Sequence, residues 1–427
     1  MKLLSLLCCY LFFLCNDTFA NASPKSLKES ITAAIKLNPK TISTDELLES
    51  LHFQTLSTKA NMYPSGSISC GVSYNRSQLN MTNDISRDRG SYGDCTLNAR
   101  VNLYDGGASR YRYKSAEASE AATVAAYNTS DSLIPNTRGG LANQTMLNYV
   151  AVINQKEGIR ISNHLLSFLY EFEKVSNDFA LKSLIAEFEQ EKIKYNDELS
   201  LKKEGFQYIV TLPIDENPED FESTILSLKI PVSADDAINM AMLTGPEIIR
   251  RNLNVKMAEF DLKAIRASNG PSVDLIFNLT TSSSRDLQNR NNNSTSNNSS
   301  VGVYLNIPLG GSGYYETKAS KSNLASKNSE REAAILDAKY SIREQYKKLN
   351  NLKKNYTALY ASYNEQLAYV RSLVKSINEG EINNFDITKS IAAVSNLEKK
   401  AWQILEIQNQ MVYKLFSISQ MTGSLFN

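Results

Sequence analysis

Side chains suited to chemistry are few in this chain. His52 and His164 are the only two histidines in 427 residues, and they lie far apart within helical tracts. An imidazole acts as a base or metal ligand only with a second group beside it. Neither sits in a His/Cys/Asp/Glu cluster at metal-ligand spacing, and no nucleophile elbow or phosphate-cradling glycine loop occurs. Gly106-Gly107 and Gly310-Gly311 read as strand-to-helix turns instead. The pattern predicts a protein that is not an enzyme, with no catalytic residue, metal or cofactor. Lys+Arg 46 against Asp+Glu 45 leaves a net charge of +1, which argues against a nucleic-acid partner.

Three of the five cysteines fall in residues 1–22, which read as a secretory signal peptide. Lys2 is the charged end, residues 3–14 are apolar, and Ala20-Asn21-Ala22 is an A-x-A cleavage site. About twelve apolar residues are too few to span a bilayer. Cys15 suggests a lipidated N-terminus, but bulky Phe13 and Leu14 precede it. Only Cys70 and Cys95 remain after cleavage, and an exported pair can form a disulfide. No later segment reads as a transmembrane helix.

The elements that carry these residues occur twice. Asn38-Pro39 and Tyr63-Pro64-Ser65 return as Gly245-Pro246 and Gly270-Pro271-Ser272, both 207 residues on. Asn102-Leu103-Tyr104-Asp105-Gly106-Gly107 returns as Asn306-Ile307-Pro308-Leu309-Gly310-Gly311, 204 residues on. The period is too long for a solenoid. It predicts two structural repeats, 23–230 and 231–427, each with an amphipathic helix, two strands and a long helical tract. Ser233 followed by Asp236 reads as an N-cap with an acidic first turn.

The strands show period-two alternation. They are predicted at about 66–77, 94–104, 272–283 and 300–308. Ile68, Cys70, Val72 and Tyr74 share one face, as do Leu97, Ala99, Val101 and Leu103. The second repeat answers with Val273, Leu275, Phe277 and Leu279, then Val301, Val303, Leu305 and Ile307. The joining segments 80–93 and 285–300 are polar and predicted as solvated loops. If the first two strands pair about a turn near 81–83, Cys70 faces Cys95. A cross-strand disulfide is one reading; two small lipid-facing side chains are the other.

Apolar positions from Ile335 to Ile377 step by threes and fours, a coiled-coil period. A helix over 312–376 would be close to 100 Å long at about 1.5 Å per residue. Asn378-Glu379-Gly380 breaks it, and 387–418 resumes it, giving a helical hairpin. Four strands cannot close a barrel, and lipid does not tolerate open sheet edges. Three chains would supply about twelve strands. The predicted fold is mainly α with a small β part: duplicated half-units, long antiparallel coiled-coil helices and four transmembrane strands per chain. A trimer would form a 12-stranded barrel continued by a helical tube.

This plan resembles the TolC-like outer-membrane efflux protein family over nearly the whole mature chain. Residues 379–387 resemble the family's Gly-x-x-x-x-hydrophobic-Asp-Val turn, and Met421-Thr422-Gly423-Ser424-Leu425 is similar to its closing Leu-Gly-Thr-Leu. Asn38-Pro39 resembles its N-terminal helix-Asn-Pro. The resemblance implies a homotrimeric channel in the outer membrane of a Gram-negative bacterium, extending into the periplasm. It would be the exit duct for drugs, toxic small molecules or secreted proteins. Its partners would be outer-membrane lipid, a periplasmic adaptor (membrane fusion) protein and an inner-membrane ATP- or proton-driven exporter.

The resemblance also implies a periplasmic gate at the hairpin turns. Asp386 matches the turn aspartate, and three copies would form an acidic ring. Lys389 stands where many members carry a second Asp, and Ile382 where an Arg is often found two residues after Gly380. In the first repeat the hairpin near 177–187 lacks the glycine, and Glu187 stands at the acidic position. Asp386 also reads as a helix N-terminal acid favoured by the dipole. Tyr104, Tyr111, Tyr113, Tyr314 and Tyr315 cluster where strand meets helix, as an interfacial belt or as packing between helices. The competing class is a non-channel coiled-coil protein, a periplasmic adaptor or secreted adhesin, which would not need matched alternating strands.

Overall fold

The structure is a computed structural model that describes residues 23–81, 84–129, 137–286, 293–379 and 386–425. The predicted signal segment, Gly380 and Ile382 lie outside the described residues. The first repeat contains α1 (Leu27–Leu37), α2 (Pro39–Ala60), β1 (Ser65–Met81), β2 (Asp84–Tyr104), α3 (Ala108–Tyr127), α4 (Arg138–Glu173) and α5 (Phe179–Val210). A short α6 (Phe221–Ser227) follows. The second contains α7 (Ala234–Thr244), α8 (Pro246–Ser268), β3 (Ser272–Asp286), β4 (Asn293–Asn306), α9 (Ser312–Asn378) and α10 (Ile387–Thr422). Among the described residues no helix is long and apolar enough to cross a membrane.

Each opening helix is in fact two. Pro39 and Pro246 occupy the first positions of α2 and α8, where proline's missing N–H costs nothing and its fixed φ suits the start of a helix. The caps follow the sequence. Ser26 and Glu29 form a capping box on α1, and Ser233 accepts from the N–H of Asp236 on α7. The long helical tract differs between repeats. In the second it is the unbroken 67-residue α9, but in the first it divides into α3 and α4.

The chain forms two compact units, and neither coincides with a repeat. One comprises Met1–Glu46, Ala125–Ile249 and Ala334–Asn427; the other comprises Leu47–Val124 and Arg250–Ala333. The cuts fall inside α2, α3, α8 and α9.

The first unit is all helix, with three apolar clusters. One joins α1, α4, α5 and α10 through Leu27, Ala142, Tyr149, Phe206 and Val412. A second joins α7, α9 and α10 through Ala237, Ile342, Leu349 and Ile418. The third lies at the turn ends of the α4–α5 and α9–α10 hairpins.

The second unit holds the sheet, in the order β1-β2-β3-β4 with every pair antiparallel. The strands run further than the alternation suggested. The β1–β2 ladder continues to Met81 opposite Asp84, and the β3–β4 ladder to Arg285 opposite Asn293. Much of the polar sequence predicted as loop is therefore strand. A hairpin arm satisfies its backbone groups on its own partner and needs no apolar face where both faces are wet. Serine pairs such as Ser284 Oγ to Ser294 Oγ, 2.7 Å apart, link the two arms directly.

Candidate functional site

The register sorts the sheet's two faces. Ile68 lies opposite Leu97, Leu97 opposite Leu279, Ala99 opposite Phe277, and Phe277 opposite Val301. Side chains directly opposite project to the same side. The apolar sets of all four strands thus share one face, and it is bare: Val72 is 89% exposed and Ile68 75%. The opposite face carries Ser67, Ser69, Thr96, Asn98, Arg100, Asn278, Thr280 and Ser300. Only β2 and β3 are paired on both sides, so β1 and β4 each present an open edge among the described residues.

Repeat meets repeat at β2 and β3, and the polar face there carries a junction that the alternation did not reveal. Arg100 Nη2 lies 2.5 Å from Asp274 Oδ2, and Asn102 donates to Asp274 Oδ1 at 3.0 Å. Asp274 is buried while the Arg100 side chain is 61% exposed. Thr96 and Thr280 hydroxyls, on the opposed pair four residues before Arg100, are 3.3 Å apart. Beyond a bulge between Asn102 and Tyr104, Gly106 and Gly107 take φ of 64° and 86°, the left-handed region. Asp105 caps α3 through the N–H groups of Gly107 and Ser109.

Cys70 lies opposite Cys95 on the apolar face, with Cα atoms 4.1 Å apart and the sulfurs bonded. That separation marks a pair without mutual backbone hydrogen bonds, where side chains are nearest. The tyrosines divide between the two readings offered for them. Tyr104, Tyr314 and Tyr315 are exposed, whereas Tyr113 lies under Lys59 Nζ, 5.6 Å from the ring centroid.

In the first unit, the hairpin turns carry the acids. Asp386 caps α10, accepting from the N–H of Thr388 at 3.1 Å and of Lys389 at 3.2 Å. The Lys389 ammonium sits 3.2 Å from Asp386 Oδ2. The backbone N–H and then the ammonium of Lys389 hold the Asp386 carboxyl below the usual carboxylate range. Lys389 thus partners the turn acid within its own chain.

Glu187 is not at the first turn. It lies on the exposed side of α5, nine residues beyond the cap. The cap is Asp178, which accepts from Ala180 N–H at 2.7 Å. Asp178 and Asp386 are 208 residues apart, against the 204 of the glycine motifs that precede these helices, so the repeat spacing reaches within four residues of the counterpart. The two turns are held by a common core in which Phe172, Leu181, Val370, Val394 and Leu397 have no exposed surface.

Glu187 instead belongs to a set of carboxylates with Glu191 on α5 and Glu398 on α10. Desolvation first, then the charge of Glu187, raises the Glu191 carboxyl. Desolvation also raises Glu398, with Glu191 and Glu187 adding to it against the Trp402 Nε1–H bond, 3.3 Å long. A carboxyl raised in the folded chain stabilises the fold below its ordinary value, 4.5, and that contribution is lost as pH rises through the raised value. Glu191→Gln is therefore expected to unfold at higher temperature than the parent at about pH 7.5, with the difference closing near about pH 4. Thermal unfolding followed by circular dichroism at both pH values measures this.

Neither a protein-family model nor a curated protein sequence matches the chain. Solved structures do. The open-state MtrE outer membrane channel of Neisseria gonorrhoeae superposes with a TM-score of 0.71 at 15% identity, covering 94% of this chain and 89% of that one. The chain has a TolC-like fold. The outer membrane protein VceC of Vibrio cholerae matches with a TM-score of 0.68 at 12% identity, over 93% of this chain and 96% of that one. The Campylobacter jejuni CmeC outer membrane channel matches with a TM-score of 0.67 at 14% identity, over 93% and 85%. At these identities the likeness shows the fold alone.

Proposed function

We propose that three copies of this chain close into a 12-stranded barrel in the outer membrane of a Gram-negative bacterium and continue into the periplasm as a helical tube. The duct carries drugs, toxic small molecules or secreted proteins, working with a periplasmic adaptor and an inner-membrane ATP- or proton-driven exporter. The observation that carries this reading is the sheet: one bare apolar face, one polar face and two open edges. An exposed apolar face is costly in water and an open strand edge is costly in lipid, and ring closure within a bilayer relieves both. The exposed Tyr104, Tyr314 and Tyr315 suit the interfacial belt of such a barrel. The solved structures of similar fold, described as outer membrane channels, support the same reading. Mass measurement in detergent and conductance across a planar bilayer test it. A trimer that conducts is expected; a monomer that stays soluble without detergent and never conducts overturns it.

The paired turns Asp178 and Asp386 are the gate in this reading, with Gly380 and Ile382 between α9 and α10. The Lys389 ammonium beside Asp386 makes the ring of three turn acids a ring of ion pairs. Lys389→Ala leaves three unpaired carboxylates and is expected to strengthen block of the channel by divalent cations, while Asp386→Ala weakens it. Block measured on single trimers checks the order; equal block in both variants removes the gate role from this pair.

A further inference from the structure

The two β-hairpins hold their registers by different means. On the apolar face of β3–β4, bulky pairs interlock: Val273 with Leu305, Leu275 with Val303, and Phe277 with Val301. On the same face of β1–β2 the pairs are Gly66 with Ala99, Ile68 with Leu97, Cys70 with Cys95, Val72 with Gly93, and Tyr74 with Ser91. Apart from the cysteines, only Ile68–Leu97 brings two bulky groups together. Beyond Tyr74 the ladder runs to Met81 opposite Asp84 through mostly polar residues. A one-residue slip is opposed because it turns every apolar side chain to the other face. A two-residue slip keeps every side chain on its own face, so face preference does not oppose it, and small or polar pairs resist it little.

We infer that Cys70–Cys95 is a register lock, made by oxidation in the exported chain, that fixes the β1–β2 hairpin against two-residue slippage. The inference rests on the export reading for an oxidising compartment. Both cysteines lie on the exposed apolar face, open to an attacking reagent. The Cys70 thiolate attacks the disulfide of a protein disulfide oxidant, forming a mixed disulfide and releasing one oxidant thiolate. The Cys95 thiolate then attacks the Cys70 sulfur and displaces the second. Two protons leave this chain, and its two electrons reduce the oxidant to a dithiol. The reverse assignment of first and second thiol balances equally. The product closes a loop between residues 25 apart and admits only one register.

The test uses the full-length protein, refolded in detergent with a glutathione disulfide buffer. Its readout is tryptic cleavage at Arg76, Arg87 and Arg89, all within the hairpin. Cys70→Ala/Cys95→Ala is expected to be cut on the order of tenfold faster or more. Adding Ile68→Cys/Leu97→Cys to that variant, which bonds another directly opposed pair on the same face, is expected to restore resistance. Pairing Cys70 with Gly93→Cys in a Cys95→Ala background imposes the two-residue slip and is expected to stay sensitive. Parental resistance in the double-alanine variant, or in the slipped one, overturns the lock. Conductance read on the same samples separates that outcome from failure of the channel reading, which removes conductance from the parent as well.

Discussion

Phe172→Ala is expected to cost about 3–5 kcal/mol and to loosen both helical hairpins at once. Phe172 is fully buried on the last turn of α4, one residue before the helix ends at Glu173. It shares one apolar cluster with Leu181 on α5, Val370 and Ile377 on α9, and Val394 and Leu397 on α10. Removing the ring leaves a cavity that four helix ends border, and helix ends near turns have little else to resist opening. Limited trypsin digestion checks this, because Lys174 and Lys182 flank the first turn and Lys375 and Lys389 the second. Faster cutting at both, with a higher resting conductance, is the expected result. Unchanged cutting would mean that the cluster does not hold the turn closed.

Gly423→Ala is expected to cost roughly 3 kcal/mol, through backbone rather than core. Gly423 ends α10 with φ of 73°, where a β-carbon is strained. An added Cβ would also lie 2.3 Å from Thr244 O, a backbone atom that cannot swing aside. Gly245 stands in the same junction, and a Cβ there would lie 2.8 Å from Met421 O. The first repeat builds the equivalent junction differently. Thr211, with φ of 66°, ends α5, and the Asn38 side chain donates to Ile209 O at 2.7 Å. One repeat fills the gap with an amide; the other brings two backbones together through glycines. Thermal unfolding of the detergent-solubilised protein measures the cost. A Gly423→Ala protein as stable as the parent would mean that this junction gives way easily.

Those junctions show why some features were legible and others not. Asn38-Pro39, Gly245-Pro246 and Met421-Thr422-Gly423 stand out as short motifs, because breaking a helix or turning its end demands particular residues. Where an alternating run has an apolar face, the strand is equally plain. Where β1 to β4 continue as polar arms, composition suggests loop, since the cause of pairing lies on the neighbouring strand and not in the run itself. The Arg100–Asp274 bond joins residues 174 apart and follows no period, so register alone reveals it. Glu187 is an acid near the expected turn, yet the cap is Asp178, four residues from where the 204-residue offset places the counterpart of Asp386.

The Arg100–Asp274 pair has a consequence for how identical neighbours are told apart. A closed ring of three duplicated chains has six junctions between repeats, three within chains and three between them. Shape makes these alternatives nearly equivalent. The repeat offsets place Tyr304 at the station of Arg100 and Ser67 at that of Asp274. A foreign β1 taking the place of β3 beside β2 would leave Arg100 facing a serine, and would leave Asp274 buried without its cation. In the proposed trimer the pair thus labels the internal junction, favouring the chain's own β3 over a foreign β1 beside β2.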